Sequence, residues 1–285
     1  MSLGVTVLIP VDLSVINERL ARKIAELCFT GVGAHLAGDP DNVLAETCRR
    51  TSAILEQQGI RVVQFWGMYD PIISTDEMVR RAGVHRAQEI IRLASQLGAA
   101  MVGIRPTSLN PEFTWWPYPD NYLPATETRL IRSLREIASA CEAHGVPIAL
   151  ECHVTTKLDS PKTVRSVLEA VDSPWVKVNL DPVIFVDSIT TTYQTAALLT
   201  ELFEELAPYI ASAHIKDVYV ENRHVVHISE IIPGDGLLDF DAFFTGFEAL
   251  LPDGYGFIEH LPESQIPQAA AFVRMKLRQL GISIH

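Results

Sequence analysis

Short apolar runs recur along the whole chain, each followed by a stretch of helical periodicity, and this alternation limits the fold more than any single motif does. The runs are Gly4–Pro10, Gly31–Leu36, Arg61–Trp66, Ala100–Arg105, Pro147–His153, Val176–Asp181, Ser212–Val218 and Tyr255–His260. Most are nearly continuously apolar, as strands covered on both faces of a parallel sheet are. Between them apolar side chains return every three or four residues. Ile16, Leu20, Ile24 and Leu27 mark the first helix; Leu130, Leu134, Ile137 and Cys141 mark the fourth, which Gly145 stops. The fifth is expected to open on Ser160 as cap with Pro161 at its first position, burying Val164, Val167, Leu168 and Val171. The last runs through Ile266, Ala270, Val273, Leu277 and Leu280 and ends at Gly281. Eight strand–helix units in 285 residues, with no low-complexity linker, predict an α/β fold: a single (β/α)₈ TIM barrel over residues 1–285. A doubly wound open sheet would want a glycine-rich turn after the first strand, and residues Ile9 to Ser14 offer none.

Composition removes several classes of function. With 48% hydrophobic residues the chain can bury a large core, so it is not disordered. No stretch of ~18 apolar residues runs uninterrupted, so no membrane partner is expected. The first residues carry neither a basic n-region nor a cleavage site and read as a strand, not a leader. The net charge of −12 lacks the basic footprint that nucleic acid requires. Cys28, Cys48, Cys141 and Cys152 have no paired spacing and are expected to be buried thiols of a cytoplasmic protein.

The chemistry gathers where strands end. The fifth run ends on Glu151 and His153, the sixth on Asn179 and Asp181, the seventh carries His214 and Lys216, and the eighth ends on Glu259. Strand side chains alternate with a period of two, so Glu151, Asp181, His214 and Glu259 would converge above the barrel. Three carboxylates buried together repel one another, and a divalent cation resolves the conflict. Oxygen-rich ligation with one imidazole suits one Mn²⁺, the first choice, or Mg²⁺, Co²⁺ or Zn²⁺. Two connections on the same face are long: 106–124, rich in proline and aromatics, and 219–238, which contains Gly234 and Gly236. They are expected to cover a pocket.

The segments ALECH (149–153), VNLDP (178–182), AHIKD (213–217), GDGLLDF (234–240) and GFIEH (256–260) together resemble the xylose isomerase-like TIM barrels. That group includes sugar-phosphate isomerases and epimerases and the family 2 AP endonucleases. QLGAAMVGIRP at 96–106 extends the likeness into the first half. The resemblance implies that Glu151, Asp181, His214 and Glu259 bind one divalent metal. It also implies that Glu151 and Glu259 move protons on opposite faces of a sugar, sugar phosphate or related polyhydroxy carbonyl compound, through a metal-stabilised enediolate. Lys216 and His153 are further catalytic candidates. Arg105, His35, Trp66, Tyr69, Trp115 and Trp116 are substrate-binding candidates, and an ordinary turn is preferred to a phosphate cradle for Gly234 and Gly236. Ile184 stands where ketose 3-epimerases of the group commonly carry a histidine, and Cys152 to Thr155 replaces their Asn-Arg-Phe-Glu, which speaks against that one activity. The Glu-x-His, His-x-Lys and strand-four arginine pattern also resembles 3-dehydroshikimate dehydratases, making a metal-dependent lyase the alternative. A barrel that binds a ligand without turning it over is a third reading. A homodimer or homotetramer, with 106–124 as contact surface, is the expected assembly.

Overall fold

The computed structural model describes residues 1–285. Eight parallel strands close into a barrel. They are β1 (Ser2–Val5), β2 (Gly31–Leu36), β3 (Arg61–Gly67), β4 (Met101–Ile104), β5 (Ile148–Leu150), β6 (Val176–Leu180), β7 (Ile210–Ile215) and β10 (Tyr255–Ile258), the last pairing with β1. Between them lie α1 (Glu18–Glu26), α2 (Ala45–Glu56), α3 (Glu77–Leu97), α4 (Pro124–His144), α5 (Pro161–Val171), α6 (Ile189–Tyr193), α7 (Thr195–Leu206), α8 (Phe240–Leu250) and α9 (Ile266–Gln279). The fold is the (β/α)₈ barrel expected from the alternation. No helix is long and apolar enough to cross a membrane.

Local chemistry sets the helix ends. Ser160 accepts the Thr163 N–H at the start of α5, with Pro161 in the first position. Asn17 caps α1 by accepting the Leu20 N–H. After α4, Gly145 turns left-handed at φ 69°, a conformation that costs glycine little. The inward faces of the helices and the outward side chains of the strands make one apolar cluster, to which Cys152, Leu180 and Ile215 belong. Those three alternate with the site residues, so the period-two reading of the strand ends holds.

Three expectations need correction. β1 stops at Val5; Thr6 still donates its N–H to the Ile258 carbonyl of β10 at 3.2 Å, and Leu8 and Ile9 are buried beyond the ladder. That apolar run continues because a buried loop, not a strand, occupies it. The seventh run breaks after Ile215 into two strands, since residues 217–220 leave the ring as β8 (Asp217–Val220). β8 pairs antiparallel with β9 (Ile228–Ile231), so much of the expected long loop 219–238 is a hairpin. Finally, Cys28 is exposed, whereas Cys48, Cys141 and Cys152 are buried as expected, all four as free thiols. Cys28 follows the end of α1 at φ 57°, in the turn that leads to the buried Phe29.

Candidate metal centre and active site

Inside the barrel, side chains stack in layers. Met101, Ala149 and Phe257 form, with Val63, a small apolar plug. Beside it lies a buried polar set. Gln64 Nε2 donates to Asn179 Oδ1 (2.8 Å) and Ser212 Oγ (2.9 Å), and Ser212 Oγ donates to Asn179 Oδ1 (2.6 Å). Two residues further along their strands stand Glu151, Asp181, His214 and Glu259. Glu151, Asp181 and Glu259 each sit one residue beyond β5, β6 and β10, and His214 lies within β7.

These four are buried, and one ligand atom from each lies within 4.8 Å of all the others. Glu151 Oε1, Asp181 Oδ2, His214 Nδ1 and Glu259 Oε1 are also buried atoms without a hydrogen-bond partner. His214 Nδ1 lies 2.8 Å from Glu259 Oε1, 3.1 Å from Glu151 Oε1 and 3.6 Å from Asp181 Oδ2. Lys216 Nζ comes within 2.7 Å of Asp181 Oδ2 and 2.6 Å of Glu259 Oε1, close by charge although outside hydrogen-bond geometry. Buried polar atoms are normally satisfied, so four orphans converging on one point mark a ligand position. Three carboxylate oxygens and an imidazole nitrogen suit a divalent cation.

Electrostatics keep the acids charged. Burial pushes Glu151 up, but the Arg105 charge and the nearby His214 outweigh it and hold the carboxyl below its ordinary value. Glu259 is likewise raised by burial and lowered further by His214 and Lys216. Burial works against the His214 and Lys216 cations, and the surrounding carboxylates more than compensate, raising both. The carboxylates around Lys216 thus favour its ammonium form, which can donate.

Gln64 went unnoticed in the sequence and fixes one proton of the His214 ring, at Nε2. Its Oε1 accepts from the Trp66 indole N–H at 3.3 Å, and an indole nitrogen can only donate. The same oxygen lies 3.3 Å from His214 Nε2, which must then carry a proton and donate. Nδ1 is left to face the carboxylates. Trp66 itself lies flat across Gly103 of the next strand; a Cβ there would come within 2.3 Å of the indole.

The other candidates divide by position. Arg105 donates from Nε to Glu151 Oε2, and its guanidinium lies 3.6 Å from the Trp115 ring centroid and 5.4 Å from that of Trp66. Tyr69 uses its hydroxyl on the Arg105 backbone, donating to the carbonyl (2.8 Å) and accepting from the N–H (2.7 Å), so it positions Arg105. His153 Nδ1 accepts from the Thr155 N–H at 3.1 Å, which leaves the ring proton on Nε2. It makes no hydrogen bond to Glu151, and burial lowers its pKa, so it is a neutral donor. His35 stacks on Trp66 with ring centroids 5.9 Å apart and is lowered by burial to about 4. Trp116 stands apart, 50% exposed and edge-on to Phe113. The sequence brings Trp115 into the site and leaves its neighbour at the surface.

Asp217 was not singled out either. Its Oδ1 accepts the Val218 and Leu238 N–H groups and its Oδ2 those of Gly234 and Gly236, at 2.8–2.9 Å. The two glycine amides thus serve an internal carboxylate, consistent with the turn preferred over a phosphate cradle.

Two cavities open at this end of the barrel. One of about 190 Å³ is lined by Arg105, Trp115, Glu151, His153, Ile184 and others. The second, about 420 Å³, is lined by Glu259, Asp235, Pro233, Leu261, Pro262, Gln265 and others. Lys216, Glu230 and His260 line both. Glu230, on β9, faces His260 Nδ1 at 3.1 Å, and this pair forms the wall between them.

The family model for xylose isomerase-like TIM barrels matches residues 21–275. The chain belongs to that family. No curated protein matches it in sequence. Among solved structures, a 3-keto-D-glucoside 4-epimerase from E. coli is 20% identical with a TM-score of 0.70, over 96% of this chain and 99% of that one. A D-tagatose 3-epimerase-like protein is 18% identical with a TM-score of 0.76, over 99% and 98%. A probable 3-DHS dehydratase from Bacillus anthracis is 14% identical with a TM-score of 0.71, over 96% and 98%. At such identities the likeness is one of fold. Within this family of barrels, the buried Glu151, Asp181, His214 and Glu259 set could hold one metal ion.

Proposed function

We propose that this xylose isomerase-like barrel is a divalent-metal-dependent isomerase or epimerase of a small polyhydroxy carbonyl compound. The observation that carries the reading is the convergence of four unpartnered buried ligand atoms, two of them from glutamates that front different cavities. A cation bound there supplies Lewis-acid polarisation of a substrate oxygen. Glu151 and Glu259, which line different cavities, would act from opposite sides of a substrate carbon, one removing a proton and the other returning it. Arg105 keeps Glu151 ionised and fixes its rotamer through Oε2. Lys216 and the Nε2 proton of His153 donate to substrate oxygens, and Trp66 and Trp115 exclude water from one side. A carboxylate placed as general base contributes about 10²–10⁴-fold.

The test is proton exchange. Aldoses, ketoses and their glycosides and phosphates, incubated in D₂O with Mn²⁺, Mg²⁺ or Co²⁺, should gain deuterium beside the carbonyl, read by NMR. Glu151→Gln and Glu259→Gln should each lower exchange by about 10²-fold or more while leaving the circular dichroism melt in place. Exchange unaffected by both substitutions would reject the assignment.

A lyase reading has one observation in its favour: Arg105, His153 and Lys216 line the same cavity as Glu151. It requires conversion of 3-dehydroshikimate to an aromatic product, followed by ultraviolet absorbance. His153 argues against the role of base there, since its free nitrogen already holds the proton.

A further inference from the structure

Glu151 lines only the smaller cavity and Glu259 only the larger one. A molecule confined to either compartment meets one glutamate of the pair. The smaller space, about 190 Å³, also falls below the ~300 Å³ at which pockets for drug-sized ligands begin, whereas the larger, about 420 Å³, falls within that range. The wall between them consists of two side chains, Glu230 and His260, each nearly half exposed and paired to each other across the cleft. Both rings and carboxylates of this kind hydrogen-bond hydroxyl groups as readily as each other.

The larger compartment has a distinct chemistry. Its charged lining is Glu230, Asp235 and Glu259 against Lys216 and His260. Lys216 lies against Asp181 and Glu259, and His260 against Glu230, so each cation on this wall already faces carboxylate and the three lining acids outnumber the two cations. The nearby Gly234 and Gly236 amides, which could have held a phosphate, point at Asp217. Carboxylates, Gln265 and the apolar faces of Pro233, Leu261 and Pro262 form a surface for a neutral, hydroxyl-rich group and a poor one for an anion.

We propose that the two cavities are halves of one binding site for a two-ring, uncharged substrate. The reacting carbonyl end lies where the two compartments meet, within reach of both Glu151 and Glu259, with Trp115 beside it. A glycosyl group lies in the compartment of Asp235 and Gln265, and Glu230 and His260 grip the molecule at its waist. This assignment rests on the catalytic reading above for the roles of the glutamates, and its test separates the two.

Calorimetry on the Mg²⁺-loaded protein would compare D-fructose, D-fructose 6-phosphate and isomaltulose, the last carrying a glucosyl group where the second carries phosphate. Isomaltulose should bind about tenfold more tightly than fructose, and the phosphate ester no more tightly than fructose. Gln265→Trp, at an exposed position beside the larger cavity, should reduce the isomaltulose-to-fructose affinity ratio to about one. Equal binding of fructose and isomaltulose, tightest binding of the phosphate, binding of none of the three, or a ratio unmoved by Gln265→Trp would each overturn the proposal. A glucosyl preference that survives without deuterium exchange on either sugar keeps the two-compartment site and rejects the isomerase reading.

Discussion

The proton on His214 Nε2 is fixed by a chain of two donors onto one amide oxygen, Trp66 to Gln64 and His214 to Gln64. Partners of this kind hold a ligating imidazole in one orientation and commonly affect metal affinity by about 10–100-fold. Gln64→Leu should therefore weaken Mn²⁺ binding by about that factor in calorimetry, while Asn179 and Ser212, still bonded to each other, retain the local structure. Unchanged affinity would mean that the carboxylates alone orient the imidazole. The four ligand residues were legible because each is a charged or imidazole side chain at the end of an apolar run, where period two decides the face. Gln64 was not, since a glutamine within a strand carries no mark of its partners. Asn179 and Ser212 lie 115 and 148 residues away, and only closure of the barrel brings them together. Trp115 and Trp116 show the same limit. Adjacent in sequence and identical in chemistry, both meet Phe113 edge-on, and they separate because only Trp115 also lies under the Arg105 guanidinium while Trp116 stays at the surface.

Among elements, the hairpin of β8 and β9 has the most to say about specificity. It supplies Glu230 to both cavities, and its base is tied to the chain around it by the Asp217 carboxylate. Removing a partner from a buried donor costs about 1–3 kcal/mol for each group left unpaired. Asp217→Ala strands up to four N–H groups, and water reaching the half-exposed Gly236 will satisfy some of them. The expected result is a clear loss of Tm with fast amide exchange at Gly234, Gly236 and Leu238, and slow exchange preserved in β5 and β6. Protection at all three amides in the variant would show that the turn holds itself. The hairpin escaped the sequence reading for a plain reason: Ser212 to Lys216 alternates like one strand, and the break at Lys216-Asp217, where the ring is left, is only two residues long. The signal lay in Asp217 followed at 234–236 by Gly-Asp-Gly, a carboxylate and a turn that can supply it with amides.

At the scale of the whole molecule, the cation site joins four consecutive barrel strands, β5, β6, β7 and β10, to one point. A ligand that binds only the folded chain raises stability by about 2.7 kcal/mol at ~100 times its Kd. Scanning calorimetry with saturating Mn²⁺ should show that increase. It should also show a pH dependence of definite sign. The carboxylates raise the His214 pKa, so a proton competes for the position facing them, and the competition strengthens as pH falls. The increment in Tm should thus be larger at about pH 8 than at about pH 6. An increment that is flat or reversed across that interval would place the cation away from His214. The architecture itself was the most legible level of all. Eight apolar runs of strand length, separated by helical stretches, leave few ways to cover both faces of every strand, and the closed ring is the one this chain takes.

Since the hairpin leaves the ring immediately after Lys216 and is anchored by one carboxylate, its outer residues from Val220 to Ile228 can be rewritten without disturbing the groups that would grip a metal. Such a segment behaves as an exchangeable cassette: its nine positions line neither cavity and could carry a tag or probe, whereas libraries seeking altered selectivity would begin at Ile231, Ile232, Pro233 and Asp235, which line the larger one.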